Sequence, residues 1–473
     1  MKKNRIFWAL GILLLAGAGG AAALFLSSRR DVTTTSEAAY EAYREAMRNE
    51  NRFYFKEARV GFAKALELDP SFAMAMLGLA GRSSDPDQRA ALVKRAVREK
   101  NRLTERERLH VNIYLADLEK NREAVLKIAH ELHDEYPDDP RGVQILAGEQ
   151  LAKGNRDQAI KIYEDLLAID SNAAEAYNQI GYYYGFRGEY DKAIENLMKY
   201  RFIAPDNANP FDSLAENQAN AGRYNEALEN LNQALAIKPD FFAAYWHFGV
   251  VYEGLGETAK AIQNYEKAAE LSDSNDMRRD YLFMAVRAAL LAGDGDAARR
   301  ILDLVARVPV DPKSENAAIT AAFVAILRDM AEVRPASAER RLRELRPQLE
   351  ARWEANVKAG KIVVPSKPHF PEWNYLMASA LEAQGRVDKA LPFYEVNANP
   401  PAPFYDFEGR RWIMEGRAKV AGIVARKGDL EKAEKLIAEN RKWNPSWAPC
   451  RPAETAVAEL RRAKVLAASP SRP

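Results

Sequence analysis

Apolar side chains recur three or four positions apart in short runs through residues 140–275, and a small residue or a turn-former separates each run from the next. That spacing puts side chains on one face of a helix. Tyr177, Ile180, Gly181 and Tyr184 make one such face. Gly188 then ends the helix, because glycine enters a left-handed turn without a Cβ penalty. Tyr190, Ala193, Ile194 and Leu197 make a second helical run. Pro205 closes it, since proline cannot continue a helix interior. The pattern predicts a helical hairpin over 174–207.

The hairpin is repeated. Gly154, Gly188, Gly222 and Gly256 lie 34 residues apart, as do Ala159, Ala193, Ala227 and Ala261. Four contiguous copies result, 140–173, 174–207, 208–241 and 242–275. Gly181 and Ala193 are small so that the two helices of a hairpin can cross closely. One hairpin cannot bury Tyr177, Ile180, Tyr184 and Leu197 alone, so the copies must stack. Weaker copies extend the array on both sides. Ala58, Phe62, Ala65 and Pro70 fit a second helix near the start. Ser83 to Pro86 breaks the period, and 104–137 reads as a hairpin slipped by one residue. Gly293 and Ala297 mark a degenerate hairpin over 281–308. Two later copies centre on Trp373 to Tyr394 and Val420 to Pro445.

The unit resembles the tetratricopeptide repeat, an aromatic-x-x-Leu-Gly-x-x-Tyr helix followed by Ala-x-x-x-Phe and a closing proline. The expected fold is therefore all-α, an α-solenoid of stacked hairpins preceded by one transmembrane or signal helix. The expected organisation is a basic start over 1–5, the apolar segment 6–26, a linker over 27–36 and an N-terminal solenoid over 37–308. A hinge over 309–320, a degenerate helical block over 321–446 and a C-terminal tail over 447–473 follow. Pro347 is expected to kink or break a charged helix over 336–360.

Composition narrows the possibilities. The chain has 473 residues, 47% of them hydrophobic, so a large core can form. Its 69 basic and 67 acidic residues leave a net charge of +2. That balance argues against nucleic acid as a partner, which usually calls for a field of one sign. Cys450 is the one cysteine, which excludes an internal disulfide and a cysteine-based metal site. Lys2, Lys3 and Arg5 precede 21 uncharged residues, 6–26. That run is long enough to span a bilayer and longer than a usual secretory core. A retained anchor is favoured over a cleaved signal. In both cases the basic front stays in the cytoplasm and the repeats lie outside it, periplasmic at the inner membrane in a Gram-negative bacterium.

No catalytic, cofactor-binding or metal motif emerges. His130 and His133 share a helix but lack further ligands, and the Gly293 to Asp296 stretch reads as a turn rather than a calcium loop. The resemblance implies that the first helix of each hairpin lines a concave groove that takes a protein or peptide partner. Carried onto the well-matched copies, the groove residues are Asn178, Tyr182 and Phe186, then Asp212, Glu216 and Asn220, then Trp246, Val250 and Glu253. Aromatic anchors and acidic groups favour a basic or neutral segment. Family members that clamp a terminal carboxylate use Lys and Arg in the groove, which these positions lack. The sequence therefore reads as a membrane-anchored, non-enzymatic scaffold for protein–protein interaction. The alternatives are a sensory partner subunit of a signalling system and an enzyme with its site in the C-terminal block.

Overall fold

The computed structural model describes residues 31–83, 85–310, 317–358, 368–400 and 407–468. All regular structure among the described residues is helical. The pattern of contacts divides the chain into two units, ending and beginning at Ala173 and Ala174.

The first unit pairs α1 (Glu37–Asn51) with α2 (Phe55–Leu68), and α3 (Ala73–Gly81) with α4 (Pro86–Arg98). It continues with α5 (Glu105–Leu118), α6 (Arg122–Glu135), α7 (Pro140–Ala152) and α8 (Arg156–Ile169). Local chemistry sets these helix starts. Ser36 caps α1 by accepting from Ala39 N–H, and Thr104 forms a reciprocal capping box with Glu107. Asp85 caps α4 across the Ser83 to Pro86 break, ahead of a proline at the first helical position.

Among its described residues the second unit holds seven hairpins and a final helix. The first three are α9 (Ala174–Arg187) with α10 (Tyr190–Ile203), α11 (Ala208–Asn220) with α12 (Tyr224–Ile237), and α13 (Phe242–Leu255) with α14 (Thr258–Leu271). Next come α15 (Asn275–Leu291) with α16 (Gly295–Arg307), and α17 (Ala317–Ala331) with α18 (Pro335–Lys358). The last are α19 (Pro371–Ala383) with α20 (Val387–Ala398), α21 (Phe407–Arg426) with α22 (Leu430–Trp443), and α23 (Arg451–Ala468).

The periodic glycines stand at the hairpin turns. Gly188, Gly222 and Gly256 have φ of 79°, 78° and 81°, the left-handed region in which a Cβ is strained. Three hairpins make the same turn without glycine, at Phe53, Lys120 and Val333. The small residues at the crossings are required as well. A Cβ on Gly181 would lie 2.6 Å from Leu197 Cγ, and one on Gly249 would lie 2.4 Å from Tyr265 Cε1. Leu197 and Tyr265 are fully buried, so neither can withdraw without opening the core.

Several boundaries differ from expectation. Helix α18 runs on through Pro347. The proline lies on the exposed face, where the carbonyl that loses its partner can turn to water, while Ala338, Leu342 and Leu345 hold the opposite face in the core. Residues 317–320 of the expected hinge already belong to α17, and 311–316 lie outside the described residues. Within the expected C-terminal tail, residues 447–468 form a short 3-10 turn and α23, with Trp447, Cys450, Ala453 and Val457 buried. The apolar segment 6–26 lies outside the described residues. Among the described residues no helix is long and apolar enough to cross a membrane.

Candidate functional site in the second unit

The nine expected groove residues all fall on α9, α11 and α13, the first helices of consecutive hairpins. Stacking joins them across repeats. Tyr182 Oη donates to Glu216 Oε2 at 2.7 Å, from one repeat to the next. His247 Nδ1 meets Asp212 Oδ1 at 2.7 Å, and its Nε2 faces Glu216 Oε1 at 3.5 Å. Burial by itself would lower the pKa of His247, but the charges of Asp212 and Glu216 outweigh it and lift the ring to about 10. Trp246 lies against the His247 ring at 4.4 Å and Tyr281 at 5.6 Å. Asn178 is buried, and Asn220 donates back to the Glu216 carbonyl of its own helix. Val250 packs into the core of this unit.

Much of this face is covered by the chain itself. Phe407, the first residue of α21, sits 5.0 Å from the Phe186 ring and 6.3 Å from that of Tyr182. Arg410, almost fully buried, donates to the carbonyls of Gly185 and Phe186 and to Tyr190 Oη. A guanidinium there adds donors to the carbonyls at the end of α9 and complements its dipole. Asn444 repeats the arrangement one hairpin on, donating to the Ala219 carbonyl at 3.1 Å and Tyr224 Oη at 3.0 Å. The correspondence is positional. Arg410 and Asn444 are one period apart, and so are Gly185 and Ala219, and Tyr190 and Tyr224. Tight packing reinforces the contact: a Cβ on Gly185 would come within 2.9 Å of the Phe407 ring.

A buried ion network continues the same face. Arg287 on α15 donates to Glu253 at 2.7 Å and to Glu415 at 2.9 Å. Arg411 approaches Glu253 at 3.3 Å, and Tyr265 Oη donates to Glu253 at 2.7 Å. Burial would raise the pKa of Glu253, but the two guanidinium groups outweigh it and hold it below the usual carboxylate range. Burial raises that of Glu415. Removing one member of such a set leaves an uncompensated buried charge, so the network ties α13, α15 and α21 together. Sequence reading missed Arg287, Arg410, Arg411, Glu415 and Asn444. The only signal was the presence of arginines beside Trp412 on a helix otherwise able to bury itself.

Beyond the network the inner face is open. A cavity of about 360 Å³ lies among α15, α17, α19 and α21, with apolar walls that include Met284, Leu290, Leu327, Met330, Leu376 and Trp412. A second cavity of about 360 Å³ lies beside it, lined by Phe323, Leu349, Phe370 and Trp373. Glu372, Glu408 and Trp412 line both cavities. The Glu372 side chain is exposed to this space, and the protein atoms around it, with the charge of Glu408, push its pKa up to about 7. No cluster of His, Cys, Asp and Glu able to hold a metal occurs among the described residues.

The fold is that of a helical-hairpin repeat protein. Residues 174–200 and 242–275 match the family model described as Tetratricopeptide repeat, and 220–256 match one described as TPR repeat. The matches fall within the stretch where the period is strict, over 174–200 and 220–275. No curated protein matches it. Similar solved structures include an APC/C hetero-tetramer, Cut9-Hcn1, at 14% identity, covering 89% of this chain and 76% of that one with a TM-score of 0.47. MamA is similar at 26% identity over 34% of this chain and 92% of that one, with a TM-score of 0.29. PilW, a widely conserved type IV pilus biogenesis factor, is similar at 17% identity over 42% of this chain and 92% of that one, with a TM-score of 0.36.

Proposed function

We propose that the protein is a non-catalytic scaffold that docks a segment of a protein partner on the inner face of its second unit. Tetratricopeptide repeats bind protein partners, and the observation that carries the reading to a place is the open apolar trough among α15, α17, α19 and α21. On α9, α11 and α13 the same face already holds the chain's own α21. The partner therefore belongs in the trough rather than on Asn178, Tyr182, Phe186 and their neighbours. In the same proposal residues 6–26 anchor the chain in a membrane, with the repeats on the non-cytoplasmic side. The basic front and the length of the apolar run support that part.

The test is photocrosslinking in the native host from a photoreactive residue at Met330, with Lys192 on an exposed face as control. A discrete protein captured from Met330 alone, and lost when Leu327→Trp fills the trough, supports the docking site. Capture that is equal from both positions, or that survives Leu327→Trp, overturns it. Deleting 6–26 should move the chain from the membrane fraction to the soluble fraction; retention in the membrane would refute the anchor.

A further inference from the structure

The trough holds charged groups of two kinds, and only some are already paired. Arg287 is engaged by Glu253 and Glu415, and Lys419 by Glu382 at 3.0 Å. Glu382 also accepts from Tyr394 Oη. Among the described residues Glu372 and Glu408 make no direct ion pair, although the charge of Arg287 acts on both. Both line the two adjoining cavities, and Trp412 lines them too. The site is therefore two carboxyl side chains without a direct ion pair at the junction of two largely apolar chambers.

Resting on the reading of this trough as the partner site, we infer that its occupant is a protein segment carrying one Lys or Arg flanked on both sides by apolar residues. The arrangement selects each part. The carboxylates want a cation, and the local cations are already taken. The chambers on either side accept aliphatic or aromatic side chains, one against Met284, Leu327 and Met330, the other against Phe323, Leu349 and Phe370. An anionic segment would meet the like charge of Glu408, and a wholly apolar one would bury both carboxyl groups without a partner.

Three peptides of sequence Ac-Leu-Ala-Leu-X-Leu-Ala-Leu-NH2, with X as Lys, norleucine or Glu, would be titrated calorimetrically into the full chain. The Lys peptide should bind about tenfold tighter than the norleucine peptide, with the Glu peptide weakest. In the Glu372→Gln/Glu408→Gln variant the Lys advantage should fall to about twofold or less. Because both side chains lie on an open wall, the variant's circular dichroism should match that of the parent. In the parent the Lys advantage should also shrink as salt is raised. If no peptide binds, the trough is not a peptide site and the scaffold reading fails there. If the three peptides bind alike, or the Lys advantage survives in the double variant, the docking site stands but the cation preference is overturned.

Discussion

Arg410→Met is the sharpest test of how the second unit is closed, because methionine keeps much of the apolar bulk and removes every donor. The structure gives three acceptors to lose: the Gly185 and Phe186 carbonyls and Tyr190 Oη. Hydrogen bonds from a charged group contribute about 1.5–3 kcal/mol each, so the gross loss is roughly 4–9 kcal/mol. The variant no longer desolvates a guanidinium, which returns several kcal/mol. A net destabilisation of about 3 kcal/mol remains. For a folding unit this large, each kcal/mol moves the midpoint by about 2 °C, so a drop of about 6 °C is expected in the transition of the second unit. Thermal melting followed by circular dichroism reads it. Asn444→Ala removes the equivalent neutral contacts one repeat on and should cost about 2 kcal/mol. Hydrogen exchange supplies a local signature. The Gly188 amide donates to the same Gly185 carbonyl, so it should exchange faster in Arg410→Met. A midpoint unchanged within about 1 °C, with unchanged exchange at Gly188, would refute the docking of α21 on α9.

Two further outcomes follow from single residues. The pKa of His247 is raised in the fold from 6.5 to about 10, so its contribution to stability is full below about pH 6.5, declines as pH rises and is gone above about 10. His247→Gln should flatten the dependence of the melting midpoint on pH across that window; an identical slope in both proteins would show that the ring is not held charged between Asp212 and Glu216. Val333 has φ of 54° and is 81% exposed, so a β-branched side chain is strained there with little packing to offset it. Val333→Gly should raise stability by about 0.5–1 kcal/mol in denaturant titration, and a loss of stability would mean that the side chain contributes packing that outweighs the strain.

The hairpin was legible from local sequence. Its period, its left-handed glycine and its small crossing residues act within about 34 residues, where local sterics decide the backbone, and each recurs often enough to be read. Contacts between adjacent repeats are also nearly local. Tyr182 and Glu216, Glu253 and Arg287, and Glu266 and Arg300 each pair 34 residues apart. What lies on the inner face follows from contacts between distant parts of the chain. Arg410 reaches Gly185 and Asn444 reaches Ala219 across 225 residues in both cases. That reach depends on the curvature accumulated over the intervening hairpins, to which each crossing adds a small rotation. No local signal carries such a sum. The placement of Asn178, Tyr182 and Trp246 on first helices was therefore legible, while the chain's own α21 against that face, and the trough with Glu372 and Glu408 beyond it, came from long-range packing alone.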